Sequence, residues 1–103
     1  MKILARLGIY DLNERFALDL RPLEKLSNLQ VLHLGGASIK NIKPLVGLIS
    51  LKQLVLIQTQ VSDLEPIKGL INLVFLNLQH SENITKEQVE DLQKALPNVD
   101  ITR

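Results

Sequence analysis

A stack of short, strand-bearing repeats sharing one aliphatic core is the fold this sequence predicts. Three observations carry that expectation. Leucines recur at a spacing of 22 residues along almost the whole 103-residue chain. The most regular units contain a Leu-x-Leu pair, which at strand period sends both leucines to one side. Hydrophobic residues make up 46% of the chain but aromatics only 3%, so the core must be built from Leu, Ile and Val. That composition suits a regular packed stack better than an enzyme cleft.

The repeats align directly. In LSNLQVLHLGGASIKNIKPLVG and LISLKQLVLIQTQVSDLEPIKG, Leu26, Leu29, Leu32 and Leu34 fall over Leu48, Leu51, Leu54 and Leu56. Ile39 falls over Val61, Ile42 over Leu64, Pro44 over Pro66 and Gly47 over Gly69. Stepping back places Leu4, Leu7, Tyr10 and Leu12 in the leucine slots, followed by Ala17, Leu20, Pro22 and Leu23. Stepping forward gives Leu70, Leu73, Leu76 and Leu78, and LPNVDITR restarts the pattern at Leu96 with Val99 in the Leu73 slot. The expectation is a single domain over 1–103, with repeats starting at 4, 26, 48 and 70 and a partial repeat over 96–103. No single unit can bury its own leucines; stacking about three or more buries them in a continuous column.

The residues between the leucines read as punctuation. Asn28, Ser50, Asn72 and Asn98 precede each strand's first leucine slot, where a short polar side chain can bond nearby backbone. Pro44 and Pro66 fix φ where no ladder donor is needed. Gly47 and Gly69 suit the turn into the next repeat. Ser62-x-x-Glu65 has the pattern of a capping box at the start of such a turn.

The motif L-x-x-L-x-L-x-x-(N)-x-(I/V), with the x-P-(L/I)-x-G-L ending, resembles leucine-rich repeats. It is closest to the short 22-residue type of internalin-like bacterial proteins and of a eukaryotic protein-phosphatase regulator. The resemblance implies an α/β leucine-rich-repeat right-handed solenoid. Each repeat would give one strand to a parallel β-sheet on the concave face and a 3₁₀ segment or turn to the convex face. It also implies an adaptor, regulator or effector that binds protein.

Two departures from the family pattern stand out. The slots where the family places a ladder of Asn hold Arg15, Ala37, Thr59 and Ser81. Thr and Ser can still donate and accept, Ala cannot, so backbone or water must serve those groups. Arg15 is expected to point outward from an irregular first repeat, with Phe16 covering the N-terminal edge. The last full repeat runs 26 residues rather than 22, its extra length falling within SENITKEQVEDLQKA. Thr85 followed by Gln88 resembles a capping box, and Val89, Leu92 and Leu96 follow at helical spacing. An α-helix over about 86–95 is expected there as a C-terminal cap, followed by an edge strand. No matching N-terminal cap is visible, so the expectation is that a partner or a second copy covers that edge, the latter by self-association, or that the chain is a piece of a longer one.

Chemistry finds little support. With no cysteine, thiolate catalysis, disulfides and Cys-ligated zinc are excluded. Twelve basic and eleven acidic residues leave a net charge of +1, which argues against nucleic acid or an anionic membrane as partner. His33 and His80 differ in repeat register, so a shared metal is not expected. Ser62 with Asp63 lacks a histidine in register and reads as turn punctuation. Asn83-Ile84-Thr85 is a glycosylation sequon, but Thr85 is better explained as a helix cap. Phosphate loops, zinc patterns and triads are missing, so no enzyme and no cofactor is expected. MKILARLGIY is too short and too charged to read as a signal peptide, which makes the cytoplasm the expected location.

The concave sheet remains. Repeat register predicts outward columns of Ile9, Val31, Gln53, Phe75 and Ile101; of Asp11, His33, Val55, Asn77 and Arg103; and of Asn13, Gly35, Ile57 and Gln79. Val31, Val55, Ile57 and Phe75 would form an apolar centre, rimmed by His33, Gln53, Asn77 and Gln79. An apolar patch with a polar rim marks an interaction site, and an aromatic is its natural anchor. The expected function is a protein-protein interaction module binding through these eight residues. The alternative is a structural or capping segment of a larger multidomain protein, or a self-associating solenoid with no independent ligand.

Overall fold

The computed structural model describes residues 5–11 and 16–103. Five parallel strands form one sheet in chain order: β1 (Arg6–Tyr10), β2 (Val31–Gly35), β3 (Gln53–Ile57), β4 (Phe75–Asn77) and β5 (Asp100–Thr102). Three 3₁₀ turns, at Arg21–Leu23, Lys43–Leu45 and Glu65–Ile67, line the opposite face. A helix, α1 (Lys86–Ala95), takes that place in the fourth repeat. This is the α/β leucine-rich-repeat solenoid expected, with its sheet on the concave face.

Between sheet and turns lies a column of aliphatic side chains. Leu32, Leu54 and Leu76 are fully buried and adjacent in the sheet, as are Leu34 and Leu56. Leu29, Ile39, Leu45, Leu51, Val61, Ile67 and Leu70 complete the layer, each completely buried. Each such side chain contributes about 1.5–3 kcal/mol by leaving water.

The convex turns have a repeating cause. Asp19, Asn41 and Asp63 each accept from the backbone N–H two residues on, at 3.0, 2.9 and 2.9 Å. These Asx turns stand 22 residues apart, each three residues before a proline. The capping box expected of Ser62 and Glu65 does not form: Asp63, not Ser62, accepts from Glu65, because the segment is a 3₁₀ turn capped by Leu64 without a side-chain bond. At the first turn Arg21 also grips the Asp19 carboxylate, at 2.8 Å. The Arg21 side-chain hydrogen bond, then its backbone N–H, hold the Asp19 pKa down to about 2. The contribution is therefore complete above the ordinary carboxylate range near 4 and fades as pH falls toward 2. An NMR titration should find the Asp19 midpoint near that low value in the parent and higher in Arg21→Ala, yet still below the ordinary one, because the backbone N–H of residue 21 remains.

Gly47 and Gly69 do not play the part expected of them. Neither has a positive φ, and a Cβ added to either meets nothing within 4 Å. The left-handed residue is found elsewhere, after β2, β3 and β4: Gly36 (φ 106) and Gln58 (φ 56) follow their strands directly, and His80 (φ 62) holds the same repeat slot three residues past the end of β4. Gly47→Ala should therefore raise stability by about 0.4–1 kcal/mol through the unfolded chain. A urea midpoint equal to or below the parent's would contradict this.

The Asn ladder is replaced by hydroxyls. Ser81 Oγ donates to the Leu56 carbonyl at 2.8 Å and lies 2.7 Å from Thr59 Oγ1. A hydroxyl has one proton, so Ser81 accepts from Thr59 Oγ1, and it also accepts from Thr59 N at 3.1 Å. Thr59 Oγ1 in turn accepts from Val61 N at 3.3 Å. Where Ala37 leaves the slot empty, the next residue, Ser38, donates its hydroxyl to the Asp11 carbonyl at 2.8 Å. Arg15 lies outside the described residues.

The helix forms over the expected residues. Thr85 Oγ1 accepts from Gln88 N at 3.2 Å, but the box is not reciprocal: Gln88 sends its side-chain amide across to the Ser62 carbonyl instead. Lys68, between Glu65 and Asp91, ties the helix to the preceding turn. Asp91, then Glu65, raise the Lys68 pKa through these hydrogen bonds.

The two end strands depart from the expected register. β1 pairs with β2 at a step of 25, Leu7 beside Leu32 and Ile9 beside Leu34, so Ile9 faces the core and Tyr10 faces out. Tyr10 therefore does not occupy a leucine slot. The convex residues Leu20 and Ile42 keep the spacing of 22, which places three extra residues between Tyr10 and Leu20. Leu4, Leu12 and Asn13 lie outside the described residues, and Phe16 is 70% exposed rather than packed over an edge. At the other end Asp100 stands beside Phe75 and Ile101 beside Leu76. The cause is visible in the hydrogen bonds. Ala5, Gln30 and Lys52 each accept two successive N–H groups as the next strand begins, whereas Val74 accepts only from Asp100. The doubled step is missing once, and β5 slides by one residue.

Candidate functional site: the concave sheet

Parallel register builds the concave face from alternate residues of each strand. The first column runs Arg6, Val31, Gln53, Phe75 and Asp100. The second runs Gly8, His33, Val55, Asn77 and Thr102. The third begins with Tyr10, Gly35 and Ile57, and Gln79 follows just beyond β4.

Seven of the eight residues read from the repeats line this face with accessible surface. Gln53 and Gln79 are exposed, and Val31, His33, Ile57, Phe75 and Asn77 are half-buried. Val55 is the exception, only 7% exposed although it points to the same side. It sits in the central strand, flanked by His33 and Asn77, so it supports the surface from below. Asn77 and Gln79 are coupled: Asn77 Oδ1 accepts from Gln79 N at 2.9 Å, and Asn77 Nδ2 donates to Gln79 Oε1 at 3.3 Å. That pair presents a fixed polar edge beside Phe75.

Register reasoning misplaced the ends. Ile9 and Ile101 belong to the core side, and Asp11 lies beyond β1, with its N–H on the Gly35 carbonyl at 2.9 Å. Arg103 does not join Asn77; its guanidinium donates to the Ile84 carbonyl at 2.9 Å. In their places stand Arg6, Tyr10, Asp100 and Thr102. The alternation of Asp100, Ile101 and Thr102 was a usable signal, because the apolar residue of such a triplet faces the core. Nothing in the sequence flags the shift at β1.

A depression of about 250 Å³ opens on this face, lined by Arg6, Leu7, Gly8, Val31 and His33. Larger clefts, of about 500 and 450 Å³, are grooves between successive convex turns, bounded by the residues that shape those turns. Among the described residues no group of three or more His, Cys, Asp or Glu is placed to hold a metal ion. Ser62 offers its carbonyl to α1, and His80 sits at the left-handed turn after β4, away from His33. No described helix is long and apolar enough to cross a membrane.

This architecture defines an internalin-like leucine-rich-repeat protein. The chain resembles the solved structure of an internalin, inlF, of Listeria monocytogenes, with 25% identity over 84% of this chain and a TM-score of 0.73. It also resembles internalin C2 of the same organism, with 28% identity over 93% of this chain and a TM-score of 0.61. It spans 25% and 42% of the length of those two chains. No family model matches the sequence, and no curated protein does.

Proposed function

We propose that the chain is a non-enzymatic protein-interaction module whose concave sheet binds a partner protein. The observation that carries this is two half-buried apolar residues, Ile57 and Phe75, at opposite ends of two neighbouring strands on one face of the parallel sheet, with fixed or exposed polar groups at Gln53, Asn77 and Gln79 around them. Val, Ile and Phe favour strands in any case, but a solvent-facing sheet has no packing need for a part-exposed aromatic on its face. Apolar anchors inside a polar rim are how protein interfaces concentrate their energy. The resemblance to internalins supports the reading at the level of an interaction fold.

Ile57→Asp combined with Phe75→Ala tests it. The variant should keep its circular dichroism spectrum and lose at least about tenfold in affinity for a partner identified by capture on the parent protein. Equal capture by the folded variant would refute the concave site. Val55→Asp is unsuitable, because burying a charge at that position would report on stability. A structural segment of a larger protein would show no partner whose retention depends on these two residues.

A further inference from the structure

The first concave column is complementary to itself. In strand order it reads cation, apolar, amide, apolar, anion: Arg6, Val31, Gln53, Phe75, Asp100. Arg6, Gln53 and Asp100 are exposed, and neither Arg6 nor Asp100 forms an ion pair among the described residues. A two-fold axis along β3 between two such faces exchanges β1 with β5 and β2 with β4 while keeping each column on itself. Arg6 then meets Asp100 of the second copy, Val31 meets Phe75, and Gln53 meets Gln53. In the neighbouring columns the same axis sets Ile57 against Ile57 and His33 against Asn77. The operation preserves the handed twist of both sheets, so the strands stay aligned. The opposite charges stand on the two outermost strands of the face.

We propose that the partner covering this face is a second copy of the chain, in a face-to-face dimer registered by two Arg6–Asp100 pairs. The proposal rests on the concave-face reading above and specifies its occupant. Five strands spaced about 4.8 Å apart, three of five residues and two of three, offer on the order of 330 Å² per copy. That is below the ~800 Å² per partner of a standard interface. The dimer is therefore weak and concentration-dependent, with charge setting its register.

Sedimentation velocity over a concentration series tests it with the whole chain. The parent should shift from monomer to dimer as concentration rises. Arg6→Asp alone and Asp100→Arg alone should each weaken the dimer at least about tenfold. The double variant, Arg6→Asp with Asp100→Arg, should recover it to within about threefold. Gln53→Arg, which sets like charges across the axis, should weaken it as well, and because all three sites are exposed the four variants should leave the circular dichroism unchanged. A parent that stays monomeric throughout overturns the proposal while leaving capture of another protein, read separately with the Ile57 and Phe75 variant, untouched. A dimer indifferent to these charges overturns it too and points to pairing at the β1 edge. Failure of the double variant to recover what the single variants lose also refutes the register.

Discussion

Replacing Gly36 with alanine is expected to cost about 3 kcal/mol or more. Two penalties add. The residue has φ 106, a region open to glycine and strained for L side chains. A Cβ there would also run into the Asp11 carbonyl, a backbone group that cannot swing aside. That carbonyl already accepts from Ser38 N at 3.2 Å and Ser38 Oγ at 2.8 Å, so displacing it breaks the join between the first two repeats. The equivalent slots behave oppositely. Gln58 and His80 have φ near +60, where a side chain is admitted at about 1 kcal/mol. Gln58→Gly should therefore gain up to about 1 kcal/mol while Gly36→Ala loses several times that. Urea unfolding of the three proteins decides the matter. A Gly36→Ala midpoint within error of the parent would mean that the first two repeats do not meet as described.

Ser81→Ala is expected to cost about 2–4 kcal/mol, far more than removing a surface hydroxyl. The side chain is 5% exposed and serves three groups at once. It supplies the Leu56 carbonyl, the Thr59 N–H and the Thr59 hydroxyl, all in the interior between the third and fourth repeats. Alanine leaves each of them without that partner where water has little access. Ser62→Ala, on the exposed convex side, should by contrast change stability by less than about 0.5 kcal/mol. Thermal melts compare the two directly: 1 kcal/mol corresponds to about 4–8 °C for a domain of this size. If Ser81→Ala and Ser62→Ala melt together, the hydroxyl ladder carries no weight.

These contrasts mark how far the sequence could be read. The central repeats were legible because one constraint repeats in them. Leu32 over Leu54 over Leu76 must meet in one column, and a one-residue slip would turn every leucine to water. The helix was legible for a local reason, since Thr85, Gln88, Val89 and Leu92 carry cap and face within ten residues. The ladder was half legible. Thr59 and Ser81 stood in the expected slots, but Ser38 took over from Ala37 one position later, which only the path of the backbone past Asp11 allows.

What the residues decide alone is therefore the repeating part: period, core and terminal helix, each set by local spacing of apolar side chains. What only the folded chain decides is the two ends of the concave face. Three additional residues near β1 and one lost hydrogen-bond step before β5 shift those strands without disturbing their neighbours. The shift puts Arg6 and Asp100 where Ile9 and Ile101 were expected. The burial of Val55 is likewise tertiary, set by its place in the central strand between His33 and Asn77. Side-chain alternation says which residues share a face. Register between strands says which of them meet, and that is settled by backbone hydrogen bonds between residues about 25 apart in the chain.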